Sequence, residues 1–482
     1  MLDEIKEIKL KKLENLRSSG IDPYPEKTER SMTNREALEK FESLQGKEIF
    51  VVGRVRSLRL MGGSAFLHLE DVSGKIQAFF NKINVGDEKY KLFTDSVEIG
   101  DFVEVKGTLF KTQTGESTVQ ASDWKMLAKS LSPVPTEYFG LKNVEELLRR
   151  RYLDLMVNPE TRQIFEKKSL FWQTARKYLT KRGFLEVETP VFENIPGGAE
   201  AEPFVTHHQA LGRDYYMRIS LELGLKRLLV GGYEKVFEIG RVFRNEGIDR
   251  EHLQEYDMIE TYEAYEDLQG GMKFVEKFFK TLIESVAGNL ETEYDGQKIS
   301  WGAKWPKNDY FELFKSEIGI DLDREATFEN LRKKADELQV KYDPSFGTGK
   351  MIDTLFKKVI RPKMIQPCFL VGHPVEVSPL AKSNPKDPKK VLRVQVVAGG
   401  TELGNGFSEL NDPIEQRQRF EEQMKLRAAG DKEAQMLDED FVKALEYGLP
   451  PAFGFGFSER LFAFVMNKSV RETVIFPPMR EK

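Results

Sequence analysis

The chain has 482 residues, 40% of them hydrophobic and 31% charged, with a formal net charge of −5 and a single cysteine. That length exceeds one hydrophobic core and predicts two or three domains of ordinary globular composition. One cysteine excludes a disulfide framework or a cysteine-built zinc site within the chain, and no apolar run approaches the roughly 20 residues of a membrane span. The opening "MLDEIKEIKLKKLENL" has no signal-type apolar block, so a cytoplasmic protein is expected.

In chain order, apolar residues near helical spacing predict an amphipathic helix over residues 1–18, ended by "SGIDPYP". Its lysines Lys6, Lys9, Lys11 and Lys12 suit either a solvated face or a face that meets RNA. Residues 48–128 read as short strands separated by "MGG", "SGK" and "TGE", the pattern of a small Greek-key barrel such as an OB-fold. "SPVPTEYFG" reads as linker, and "PETRQIFEKKSLFWQTARKYLTKRG" as a long helix stopped at Gly183. Beyond it, strand runs such as "KVFEIGRVFRN", "YDMIETYEAY" and "LRVQVVAGGTELGNGF" follow one another without intervening helices. An antiparallel sheet flanked by helices is therefore predicted, not a doubly wound parallel one. The divisions are 1–46, an N-terminal helical extension; 47–130, the barrel; 131–150, a linker; and 151–482, a catalytic domain with a helix-rich insertion near 307–358. Cys368, in an apolar run, reads as a buried core thiol.

Three constellations carry chemistry. In "FRNEGIDREH", Arg244 ends a strand where a planar guanidinium can fork onto a phosphate and a carboxylate together. Glu246 suits an adenine amine, Arg250 and His252 suit outer phosphates, and Tyr256 offers a ring for stacking. A solvated, charged hairpin tip has the same composition. In "GGTELGNGFSELNDP", Glu402, Asn405 and Glu409 are placed to converge on one ligand, and buried carboxylates imply a cationic ligand or a metal. A glycine-rich turn with surface acids is the plainer alternative. In "GFGFSERLFAF", glycines permit close approach of a nucleotide and Arg460 opens an apolar helix; a packed strand–turn–helix fits equally. No P-loop and no "HExxH" occurs, and the five histidines make no metal cluster.

Taken in order, these elements resemble the class II aminoacyl-tRNA synthetases, most closely the bacterial-type lysyl-tRNA synthetases of subclass IIb. "FLEVETPVF" is similar to motif 1, "FRNEGIDREH" to motif 2 and "GFGFSERL" to motif 3; "RRRYLDLM", "PFVTHH", "VSPLAK" and "GNGFSELNDP" are lysyl-type phrases. The resemblance implies ATP and Mg²⁺ as cofactors, lysine and its tRNA as substrates, a homodimer, and a role in protein synthesis. It implies that Arg244 bridges the α-phosphate and the substrate carboxylate beside Asn405, with Glu246, His252 and Tyr256 around ATP and Arg460 on its far side. Gly198 and Glu222 would hold the α-ammonium, and Glu260, Tyr262 and Glu409 the ε-ammonium. Phe66, Gln77 and Glu116 would read a U-rich anticodon on the barrel, although Phe66 taken alone suits barrel core.

The chain departs from the family at several points. The glutamate that pairs with Glu402 to bind Mg²⁺ is here Gln395, and an amide is the weaker ligand. Ser458 and Glu459 precede Arg460 where the family has a further glycine and an aspartate, and "HLQEYD" replaces an Asn-Pro pair. Alternatives are an aspartyl- or asparaginyl-type sibling, a paralogue that adenylates an amino acid to modify a protein, and a catalytically altered RNA-binding or regulatory protein.

Overall fold

Alternation of apolar and polar residues builds the N-terminal unit. In the strand Glu48–Met61, Ile49, Val51 and Val55 are buried while their neighbours are not. The computed structural model describes residues 2–134, 143–247, 253–344 and 346–480 of the chain. It divides into two units, Met1–Leu141 and Lys142–Lys482.

In the first unit, strands Glu48–Met61, Ser64–Glu70, Lys75–Asn81, Ser117–Ala128 and Phe102–Lys111 close, in that order, into a barrel. The helix Asp87–Ser96 contributes Phe93, stacked on Phe80 at 4.1 Å, to its core. The helix Leu2–Ser18 packs on this unit through the buried Leu13 and Leu16. Its Lys12 reaches Glu98 at 2.9 Å and the buried Lys9 reaches the same carboxylate at 3.4 Å. Two of the four lysines thus serve the domain's own packing; burial, which would raise the Glu98 carboxyl, is outweighed by Lys12, Lys129 and Lys9, which lower it to about 2.

The second unit is built on an eight-stranded sheet. Its order is Lys307–Asp309, Cys368–Val371, Arg393–Ala398, Thr401–Ser408, Ala452–Ser458, Glu255–Ala264, Lys235–Phe243 and Leu185–Glu186. Its centre is antiparallel, as expected, and both edge strands pair in parallel, so the sheet is mixed. The chain returns to each edge through helical segments, and such crossovers permit parallel pairing. At the end of the 131–150 division the segment "KNVEELLRRRYLDLM", which reads as helical, forms the helix Val144–Arg149, held by Arg471–Glu145 contacts and by Arg149 donating to the Arg480 carbonyl.

The strand "AFGFGFS" explains how the sheet is two-faced. With a period of two, Phe453, Phe455 and Phe457 point into a core shared with the helices Pro159–Lys181 and Leu268–Ala287. Gly454 and Gly456 lie on the opposite face. Cys368 is buried in the neighbouring cluster, and burial pushes its thiol up to about 11. No helix among the described residues is long and apolar enough to cross a membrane.

Candidate functional site

The glycine face of the sheet carries a cavity of about 570 Å³. The antiparallel hairpin Lys235–Phe243/Glu255–Ala264 supplies one wall. In its second strand Tyr256, Met258, Glu260 and Tyr262 share a phase and all line the cavity. Asp257 and Glu263 fall out of phase and pair with Arg241 at 3.1 Å and Lys235 at 2.6 Å on the other face. Of the four carboxylates on this strand, Glu255, Asp257, Glu260 and Glu263, Glu260 alone belongs to the cavity.

Arg244 sits where the hairpin ends. Its backbone N–H donates to Gln254 O at 2.8 Å, its Nε donates to Ile219 O at 3.2 Å, and its guanidinium lies 5.6 Å from the Tyr256 ring centre. Glu246 lines the same end, its carbonyl accepting from Gln254 Nε2. Asp249, Arg250, Glu251 and His252 lie outside the described residues.

The floor is acidic. Glu260 Oε1 accepts from Ser220 Oγ at 2.6 Å and Leu221 N at 2.9 Å, and its Oε2 accepts from the Tyr262 hydroxyl at 2.9 Å. Burial raises its pKa, against these hydrogen bonds. Gly198, with φ +84°, presses its backbone against Ser220 and Glu222: a Cβ there would lie 2.8 Å from the Glu222 Cβ. Glycine is required both for that conformation and for the close approach.

Glu409, expected with Glu260 and Tyr262 at the polar end of the pocket, is fully buried beneath the floor and does not itself line the cavity. The glycines allow this depth: with no side chain at 454, the carboxylate fits behind the strand. Its Oε2 lies 2.5 Å from the Nζ of Lys226, yet neither oxygen accepts a well-directed hydrogen bond among the described residues. Lys226 was not among the expected residues. One turn after Glu222 on the helix Glu222–Val230, it bonds that carboxylate as well and is itself fully buried. The signal in the sequence is the i, i+4 Glu–Lys pair in "ELGLKRL", on the face where Leu225 and Leu229 are buried. Burial pushes Glu222 and Glu409 up, opposed by Lys226.

The wall formed by Arg393–Ala398 and Thr401–Ser408 brings Asn405, Gln395 and Glu402 to the cavity. Asn405 Oδ1 accepts from Arg393 Nε at 2.7 Å, so Arg393, a second residue missed in the sequence, orients it. Glu402 and Glu409 do not converge on one point, since Glu409 is sealed under the floor with Lys226. Arg460 opens the helix Arg460–Val465 and donates Nη1 to Glu402 O at 3.4 Å, while Glu459 is buried against Lys168.

Gln395 is neutral, Glu402 is one carboxylate, and Arg361 Nη1 stands 3.9 Å from it. Among the described residues no group of three carboxylate, histidine or cysteine ligands converges. The donors do not fit a magnesium site built by the protein.

In the other unit, Phe66, His68, Gln77 and Phe79 meet on the barrel's outer surface. Phe66 is half-buried there, 4.7 Å from the Phe79 ring, and does not belong to the barrel core. Gln77 Nε2 donates to Glu116 Oε2 at 2.7 Å, and His68 Nε2 lies 3.2 Å from the same carboxylate. The three anticodon candidates are thus gathered on one surface beside half-buried aromatic rings, an arrangement suited to stacking bases.

Comparison with known proteins agrees with both halves. The family described as tRNA synthetases class II (D, K and N) matches residues 143–480, and the OB-fold nucleic acid binding domain matches residues 49–127. A lysine–tRNA ligase of Halalkalibacterium halodurans is 45% identical over 490 residues, covering 100% of this chain and 98% of the relative. Lysine–tRNA ligases of Bacillus subtilis, 43% identical with 100% and 98% coverage, and of a Roseiflexus species, 44% identical with 100% and 99%, are similar throughout. With both domains and the whole length matched, the chain belongs to the class II tRNA synthetases, in the group of the lysine–tRNA ligases.

Proposed function

We propose that the protein attaches lysine to its tRNA in two steps, through lysyl-adenylate. The observation that carries this reading is the charge of the floor. Glu222 and Glu409 are buried against one buried cation, Lys226, and Glu260 is buried beside them with only neutral hydrogen-bond donors among the described residues. An excess of buried carboxylate is costly until a cationic ligand answers it. Lysine brings two ammonium groups, whereas an aspartate pocket would present a cation to the ligand. The tight packing of Lys226 by two carboxylates leaves that cation committed to the floor.

In the first step a carboxylate oxygen of lysine attacks the α-phosphorus of ATP, and the bond to the β-phosphate breaks to release pyrophosphate. Arg244 neutralises charge on the attacked phosphate and on the carboxylate, and Asn405, oriented by Arg393, holds the amino acid beside it. Tyr256 stacks on adenine, with Glu246 at its amine and Arg460 on the far side. In the second step a hydroxyl of the terminal ribose attacks the acyl carbon and AMP departs. Both steps are positioning and charge stabilisation, so no side-chain nucleophile is required. Magnesium arrives as the nucleotide's counter-ion, with Glu402 the carboxylate nearest to hand, and no step is assigned to it. The aromatic surface of the barrel takes the anticodon. A homodimer is part of the proposal, supported by the exposed apolar Leu170, Leu185, Val191 and Phe192 around the motif 1 segment, as is work in the cytoplasm, where translation runs.

The test is amino-acid-dependent exchange of pyrophosphate into ATP with lysine, aspartate and asparagine in parallel, followed by charging of tRNA. Exchange with lysine alone supports the reading; exchange with aspartate or asparagine, or with none, overturns it.

A further inference from the structure

We propose that Lys357 and Arg361 form a cationic subsite for the β- and γ-phosphates of ATP and for the departing pyrophosphate, so that two side chains do there the work of a protein-held metal. The proposal rests on the adenylating reading above and deepens it.

Lys357 closes the inserted segment and Arg361 follows directly after it. The helix Thr348–Leu355 does not continue as an α-helix; Phe356–Ile360 form a π-helical turn, followed by a 3₁₀ turn, Arg361–Lys363. Such wide turns re-aim the side chains around them and recur at functional sites. Here Ile352, Leu355, Phe356 and Ile360 pack into the insertion's own core, while Asp353, Lys357 and Arg361 line the cavity. The turn is fixed to the cavity wall. Gly399 N donates to Ile365 O at 2.8 Å and Gly400 N to Met364 O at 3.0 Å. Both glycines have positive φ, and a Cβ at 400 would meet the Pro362 Cα at 3.1 Å. The hairpin that carries Glu402 and the turn that carries Arg361 therefore hold a fixed relation.

The chemistry of this end suits an anion. Arg361 Nη1 is 3.9 Å from Glu402 Oε2, beyond hydrogen-bond reach, and its buried Nε has no hydrogen-bond partner among the described residues. Lys357 pairs with Asp353 at 2.6 Å but remains half-exposed. Lys357, Arg361 and Arg460 line this end together with Asp353, Glu402 and Glu200. A guanidinium and an ammonium beside Glu402 disfavour a divalent ion there and attract phosphate oxygens, the guanidinium in a bidentate way. The placement follows the nucleotide outward. Arg244 lies over Tyr256, and Arg460 reaches the Glu402 carbonyl, beyond which stand Arg361 and Lys357. A triphosphate with its α-phosphorus at Arg244 extends toward them. When the α-phosphorus–oxygen bond breaks, the electron pair stays on the pyrophosphate oxygen, and these cations stabilise it.

The test is calorimetric binding of inorganic tripolyphosphate and pyrophosphate, in EDTA and in Mg²⁺, to the full-length protein and to Arg361→Gln, Lys357→Gln and the double variant, with Lys334→Gln as a surface control. The expected result is binding in EDTA, weakened about tenfold by each single variant and about a hundredfold by the double. Lysine affinity should stay within twofold, which also reports an intact fold. In exchange assays the KM for ATP and for pyrophosphate should rise while the KM for lysine does not. Tripolyphosphate binding that is absent in EDTA, or that the double variant retains, overturns the subsite. A wild-type protein that binds tripolyphosphate through these residues but shows no lysine-dependent exchange instead overturns the activity and leaves the subsite standing.

Discussion

Replacing Gly454 by alanine isolates what the floor of the site does. The backbone at 454 is not in the left-handed region, so alanine adds no backbone strain and the effect is purely steric. The new Cβ would stand 2.1 Å from Glu409 Oε1 and 2.5 Å from Tyr262 Cε1. Ordinary contact needs about 3.5 Å, so the carboxylate must retreat by roughly 1.4 Å. Its partner Lys226 is now 2.5 Å away; lengthening that contact by the same amount, at an effective dielectric near 20, weakens the attraction by about 2 kcal/mol. Overpacking a filled core costs about 1–3 kcal/mol, and the two terms overlap because the retreat relieves the clash. A loss of about 2–4 kcal/mol in stability is expected, together with at least a tenfold rise in the KM for lysine and an unchanged KM for ATP. Gly456→Ala is the internal control. Its Cβ would meet the Glu260 Cγ at 3.0 Å and the flexible Met258 Cε at 3.1 Å, which small shifts relieve. Denaturant titration and pyrophosphate exchange of the two variants decide the matter. Equal behaviour of the two, or a Gly454→Ala enzyme with wild-type lysine KM, would refute the placement of Glu409 under the strand.

Arg244→Ala should lower the rate of lysine-dependent exchange by about 10²–10³, the scale of losing one transition-state donor, with thermal stability little changed because the side chain is only partly buried; single-turnover adenylate formation checks this. Burial raises Glu222 from 4.5 to about 7 and Glu409 from 4.5 to about 8. Raised acids stabilise the fold below 4.5, and that contribution is lost as pH climbs through 7 and 8. A bound ammonium favours the ionised carboxyls, so lysine binding should tighten as pH rises from 6 to 8 with release of protons, measurable by calorimetry in buffers of different ionisation enthalpy; binding that weakens over this range would count against the acidic floor. Phe66→Ala should weaken tRNA charging by about 1–3 kcal/mol, the worth of one stacked base, while exchange without tRNA stays at the wild-type level.

Much of this architecture is legible in the residues, and the illegible parts have physical reasons. "FGFGF" announces its two faces because a strand has a fixed period, and the Arg244 hairpin is announced by two strand runs around a charged loop. Lys226 is harder to see. A buried lysine looks like any exposed one until the helix phase is tied to the carboxylates of two other elements. Lys357 and Arg361 were hidden because a π turn shifts the phase and an insertion reads as separate from the site. Glu409 reads as an acid at the polar end of the pocket, and only the missing side chain at 454 shows that it can sink below the floor. The parallel edge strands are too short, at two and three residues, to reveal their direction.

The central claim is that the floor recognises the ammonium at the end of the substrate's side chain. Pyrophosphate exchange with lysine and with norleucine, which differs by that one group, tests it most directly. Buried polar groups left unpaired should disfavour norleucine by about 10⁴ in kcat/KM; norleucine within tenfold of lysine would contradict the account.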